Sequence, residues 1–136
     1  MNAKDYLSQA KYLDQSINAK IQQLGQLNDL ATKATAVLTG MPHNPSGSTS
    51  TMADTVVKIV DLQDEINHDI DELVDLKAEI REVIDAVPDT DLRLILEERY
   101  LNWKSWEQIA VSLGYNLRYV HKLHRLALEA TKIPDS

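Results

Sequence analysis

The sequence predicts an all-α protein, with a long N-terminal antiparallel helical hairpin of coiled-coil type over residues 1–87 and a three-helix helix-turn-helix module over residues 88–136. Three observations predict it. Apolar residues recur at alternating four- and three-residue steps along two long segments. Pro88 closes the second segment, and beyond it the apolar period shortens. Two helix-start signals, at Ser105 and Asn116, then flank a glycine at helix-turn-helix spacing.

The first helix carries its seam on Tyr6, Ala10, Leu13, Ile17, Leu24, Leu27, Ala31, Ala34 and Leu38, interrupted by Lys20. Asn2 is a candidate N-cap and Gly40 a helix stop. The stretch GMPHNPSGSTS, residues 40–50, has two prolines, two glycines and no periodicity, and it predicts a loop. Thr51, with Asp54 three residues on, then makes an acidic variant of the capping box. The second seam runs Val56, Ile59, Ile66, Ile70, Leu73, Ile80, Ile84 and Val87, with Gln63 and Lys77 as polar intrusions.

Val60, Leu62, Val74, Leu76 and Val83 add apolar surface that two helices do not cover by themselves. A second copy, giving a four-helix bundle, or packing of the C-terminal module on the hairpin would bury it. A homodimer is the favoured expectation. After Pro88, a helix led by Asp89 or Thr90 buries Leu92, Ile95, Leu96 and Tyr100. A second starts at Ser105, whose hydroxyl forms a capping box with Gln108, and a third starts at Asn116.

Composition excludes several classes. The chain has no cysteine, so disulfides and thiolate metal sites are absent. Its 43% apolar content argues against disorder, and no apolar run approaches the roughly 18 residues of a membrane span. The N-terminal residues lack the apolar stretch of a signal peptide, so a cytoplasmic protein is expected. The net charge of −7 is unevenly spread: residues 1–91 hold 7 Lys/Arg against 16 Asp/Glu, residues 92–136 hold 7 against 5. The acid belongs to the hairpin, where Asp61, Asp64, Glu65, Asp69, Asp71, Glu72 and Asp75 crowd together; the C-terminal part is slightly basic.

That basic excess concentrates in SWEQIAVSLGYNLRYVHKLHRLA, residues 105–127. Ala110 falls where two helices of a helix-turn-helix touch and only a small side chain fits, and Gly114 falls at the turn, where positive φ is needed. Ile109, Leu113, Val120 and Leu123 take the buried positions. Asn116, Arg118, Tyr119, His121, Lys122 and Arg125 are left on the other face of the last helix, a set suited to phosphate oxygens and major-groove base edges. Lys104, before the preceding helix, is expected to hold phosphate together with Arg125, and Ser105 at that helix's start is counted in the DNA-binding set. A merely solvated basic face is the competing reading. Trp103 and Trp106 are expected in the core.

The segment EERYLNWKSWEQIAVSLGYNLRYVHKLHRLAL resembles the fourth region of bacterial primary sigma factors, the promoter −35 reader, in its Arg-Tyr helix end, its Trp-Glu-x-Ile-Ala core and its Val-x-x-Leu-x-x-x-Ala-Leu last helix. Over its whole length the chain resembles a family of small phage and prophage proteins of Gram-positive bacteria, of unknown function, similar to the ArpU and RinA-type regulators of late phage genes. The resemblance implies transcriptional control in a bacterial cytoplasm, with double-stranded DNA as the partner of the helix-turn-helix and a hairpin that either dimerises or docks on host RNA polymerase. By position it puts base reading on Arg118, His121 and Lys122 of helix 117–131. Leu117 and Tyr119 stand where sigma factors commonly carry basic residues, so a −35-type target does not follow.

No Ser-His-Asp order, phosphate-binding glycine loop or inward carboxylate pair is present, so neither an enzyme nor a cofactor nor a small-molecule substrate is expected. Glu65 and His68 have the Glu-x-x-His spacing of di-iron bundles but occur once and on the outer face, and His121 with His124 lacks a third ligand. Two other functions compete with the regulator: a protein-binding adaptor of RNA polymerase or a sigma factor that does not touch DNA, and a DNA-packaging recognition subunit.

Overall fold

The computed structural model describes the backbone of residues 1–40 and 45–134 and the side chains of residues 1–33 and 52–134. Among these it has five helices and no strand: α1 (Ala3–Gly40), α2 (Pro45–Asp85), α3 (Thr90–Leu96) prolonged by a π-helical turn (Glu97–Leu101), α4 (Trp106–Leu113) and α5 (Leu117–Ala130). The all-α class is as predicted. None of the described helices is long and apolar enough to cross a membrane.

Helix α1 starts where the sequence places it. The Asn2 side chain accepts the Asp5 amide at 2.8 Å, and α1 ends at Gly40. Helix α2 begins earlier than expected. Residues 45–50 are helical rather than part of a loop, and Thr51 lies inside the helix. Pro45 explains the difference: at the first helical position its fixed φ suits the helix and its missing N–H is no loss.

The chain divides into two compact units, one of Met1–Asp14 with Glu72–Ser136, the other of Gln15–Asp71. In the first, Leu7, Ile80, Ile84, Val87 and Leu96 are fully buried, and Tyr6, Ala10, Tyr100, Leu101 and Ala127 complete one core. Each large side chain withdrawn from water there contributes about 1.5–3 kcal/mol. Packing is continuous across Pro88, so the boundary expected at residues 87/88 does not separate two cores. The start of α1 and the end of α2 run antiparallel: Tyr6 donates its hydroxyl to Glu79 at 2.7 Å, while Gln9 and Leu13 line one groove with Glu72, Asp75 and Leu76. Burial and the Glu79 carboxylate push the Tyr6 phenol well above its ordinary range, so it remains a donor.

In the second unit Ile17 and Ile66 are buried. Lys20, the interruption of the first seam, is matched by the facing helix. Its ammonium lies 2.5 Å from Asp69 and 3.8 Å from Glu65, and the bond to Asp69 raises its pKa. Asp69, only 9% exposed, therefore takes the inward place that the heptad pattern assigned to Ile70, which stands exposed, as does Val56. Ile21, Leu30, Val57 and Val60 are exposed on the same unit. A polar pair in an apolar seam fixes register.

Helix α3 is capped by Asp89, which accepts the amides of Asp91 at 2.9 Å and Leu92 at 3.3 Å. The predicted helix then runs on through the π turn, where the Asn102 amide reaches the Glu97 carbonyl at 3.0 Å. Five-residue hydrogen bonding aligns Leu96 with Leu101 and lets Tyr100 and Leu101 both enter the core. Trp103 follows at φ 54°, an αL conformation that a bulky residue adopts only under constraint from its surroundings. Its ring packs on the core beneath the Lys77 ammonium, 4.6 Å from the ring centre.

Candidate nucleic-acid interface

The helix-turn-helix follows from local chemistry at three points. Ser105 accepts the Gln108 amide at 3.2 Å while the Gln108 side chain accepts the Ser105 amide at 2.9 Å, closing the predicted capping box. Gly114 ends α4 at φ 73°, ψ 27°. The amide of Tyr115 then reaches the Ala110 carbonyl at 3.0 Å and that of Gly114 the Val111 carbonyl at 3.3 Å, the Schellman arrangement. Asn116 accepts the Tyr119 amide at 2.8 Å and starts α5. Ile109, Ala110 and Val120 form the contact between α4 and α5, with Trp106, Leu113 and Tyr115 around them.

No atom lies within 4 Å of the place a Gly114 Cβ would take, so substitution there is penalised by conformation and not by space. Gly114→Val should destabilise the chain by about 1–3 kcal/mol, and Gly114→Asn by less, because asparagine tolerates this backbone region. Thermal denaturation checks the order; equal stability of the valine variant and the parent would contradict the turn.

The turn presents one face of α5. Asn116, Arg118, Tyr119, His121, Lys122 and Arg125 line a single open concavity of about 550 Å³, and no carboxylate lines it. Six of the eight residues singled out in the sequence thus meet in one place. The other two are engaged elsewhere: Lys104 forms an ion pair with Glu98, and Ser105 caps α4. The other cations of the C-terminal helices also have internal partners. Arg93 donates to the Val87 carbonyl at 3.2 Å; Arg99 donates to the Lys104 carbonyl at 3.0 Å and covers the Trp106 ring at 4.3 Å. Arg118, Lys122 and Arg125 have no ion-pair or hydrogen-bond partner for their side chains among the described residues.

Behind the face lies an aromatic group that the sequence did not single out as a unit. Trp106 meets the rings of His121 at 5.1 Å and His124 at 4.4 Å, and His124 Nε2 shares a 2.6 Å hydrogen bond with the Tyr100 hydroxyl. Burial, followed by Lys4, Arg99 and His121, lowers the His124 pKa to about 4, and burial pushes Tyr100 up to about 12. His124 is therefore neutral at pH 7. In the unfolded chain it titrates near 6.5, so its contribution to stability is complete above that pH and declines as pH falls toward 4. Allowing for the solvent that reaches the ring, about 1 kcal/mol should be lost between pH 7.5 and 5. Urea denaturation at the two pH values measures it, and His124→Gln should reduce the difference.

Tyr115, which packs beside this face on the α4 and α5 contact, was also missed. Its ring meets Tyr119 edge-on at 4.9 Å, a contact made across the turn that no spacing rule announces. Among the described residues no group of three or more His, Cys, Asp or Glu side chains is placed to hold a metal ion. Glu65 of the Glu-x-x-His motif lies instead beside Lys20.

A family model described as protein of unknown function, DUF1492, matches residues 43–131. The chain belongs to the DUF1492 family. The match takes in the helix-turn-helix and the whole of α2. No curated protein and no solved structure matches the chain significantly.

Proposed function

We propose that this chain is a DNA-binding transcriptional regulator that lays α5 in the major groove, in the manner of a sigma region-four helix-turn-helix, and acts on late genes of a phage or prophage in the bacterial cytoplasm. One observation carries the reading: in a chain of net charge −7, three cations without internal partners share a carboxylate-free face of the second helix of a helix-turn-helix. Leaving them unpaired gains nothing for the fold, whereas a polyanion releases counterions on meeting them.

One copy presents few phosphate contacts, so a second anchor is part of the proposal. The exposed Ile21, Leu30, Val56, Val57 and Val60 support a homodimer, which converts the second binding event into an intramolecular one; host RNA polymerase is the other candidate anchor. Light scattering on the full chain at tens of micromolar should give twice the chain mass, and the mass of one chain would remove the dimer. The function itself is tested by genome-wide immunoprecipitation of the tagged protein from its host. Enrichment at promoters is expected. Enrichment at a packaging site would favour the packaging subunit, and none at all the adaptor without DNA contact.

A further inference from the structure

The α5 face is a set of donors. Arg118, Lys122 and Arg125 carry N–H groups and no acceptor. Asn116 ordinarily offers one of each, which is what an adenine edge requires, but here its Oδ1 already accepts the Tyr119 amide at 2.8 Å, so one of its two lone pairs is taken while both N–H donors stay open. No carboxylate lines the concavity to receive an amino group. Acceptor capacity is confined to the His121 ring, the Tyr119 hydroxyl and the remaining lone pair of Asn116 Oδ1. In the major groove each base pair shows one keto base, guanine or thymine, and one amino base, cytosine or adenine. Set against the cytosine N4 or adenine N6 amino group a donor face leaves both unpaired, and adenine adds only its N7 as an acceptor; guanine O6 and N7 or thymine O4 present acceptors with no competing donor.

The same concavity has one apolar body, the ring of Tyr119. It is 39% exposed on the first turn of α5, and the edge contact with Tyr115 at 4.9 Å holds it there. Beside thymine O4 lies the C5 methyl, the only apolar group on the groove floor. Resting on the major-groove reading above, we infer that α5 reads a keto strand, a short run of guanine and thymine on the strand facing it. Arg118 and Lys122 take the guanines, and the Tyr119 ring takes a thymine methyl. Tyr115 is a positioning residue for that ring.

In vitro selection from a random duplex library with the full chain, followed by base replacement in the selected site, tests this. The expected site carries adjacent guanines and thymines on one strand. Deoxyuridine in place of the contacted thymine should weaken binding about fourfold, the worth of one buried methyl. 7-Deazaguanine in place of a contacted guanine should weaken it about tenfold. Tyr119→Ala should abolish the methyl effect and Tyr119→Phe keep it, while Tyr115→Ala reduces the methyl effect and leaves the 7-deazaguanine effect intact. A selected site indifferent to both replacements, or one with adenine or cytosine at the contacted positions, overturns this inference and leaves the major-groove reading standing. Failure to retain any duplex from the library overturns both.

Discussion

Ile84→Ala should cost about 2–5 kcal/mol and should destabilise the C-terminal helices together with the end of the hairpin. Ile84 is fully buried near the end of α2, in one cluster with Leu7 of α1, Val87, Leu96 and Tyr100. Removing its three outer carbons leaves a cavity with walls from elements on both sides of Pro88. Both tryptophans, Trp103 and Trp106, lie beyond that proline, so their fluorescence reports the C-terminal helices while far-ultraviolet circular dichroism, dominated by α1 and α2, reports the hairpin. The tryptophan transition should move to lower denaturant in the variant. An unchanged tryptophan transition would mean that the helix-turn-helix folds independently of the hairpin, as a boundary at residues 87/88 would require.

What the sequence made legible here is what short-range chemistry determines. Asn2, Asp89, Ser105 with Gln108, and Asn116 each bond to an amide two or three residues away, and Gly114 meets a backbone requirement that few other residues satisfy. The features that were not legible depend on partners distant in the chain. Pro45-Ser-Gly has the composition of a turn, yet proline is equally at home on the first turn of a helix, and only the fold decides between them. Asp69 displaces Ile70 from the seam because Lys20 waits on the facing helix, 49 residues away. On the candidate face the basic residues were visible because helical spacing alone puts Arg118, Lys122 and Arg125 together. The diversion of Lys104 to Glu98, the bracing of Tyr119 by Tyr115 and the burial of His124 were not, since each needs the turn or the π segment to be folded first.

Alanine in place of Arg118 or Lys122 should cost about 1–3 kcal/mol of specific binding and relax the preference at one or two base pairs, because these residues lie near the N-terminal end of α5, where a recognition helix meets base edges. Arg125, two turns along, should behave differently. Its loss should weaken binding to all sequences alike and lower the salt slope by about one unit, as expected of a phosphate contact. Lys104→Ala separates the folded geometry from the sequence expectation: paired with Glu98, Lys104 should affect stability more than affinity. Fluorescence anisotropy against selected and scrambled duplexes at several salt concentrations distinguishes the three patterns. If alanine at 118, 121 and 122 leaves both affinity and discrimination unchanged, the adaptor reading takes the place of the regulator.

Contact between duplex DNA and the basic face of α5 is tested by mapping backbone amide resonances of the full chain during titration with duplex DNA at low salt. The largest shifts should fall on residues 116–125, diminish as salt is raised, and leave the acidic stretch at residues 61–71 unmoved. Shifts centred outside α5, or none at low salt, would contradict the account.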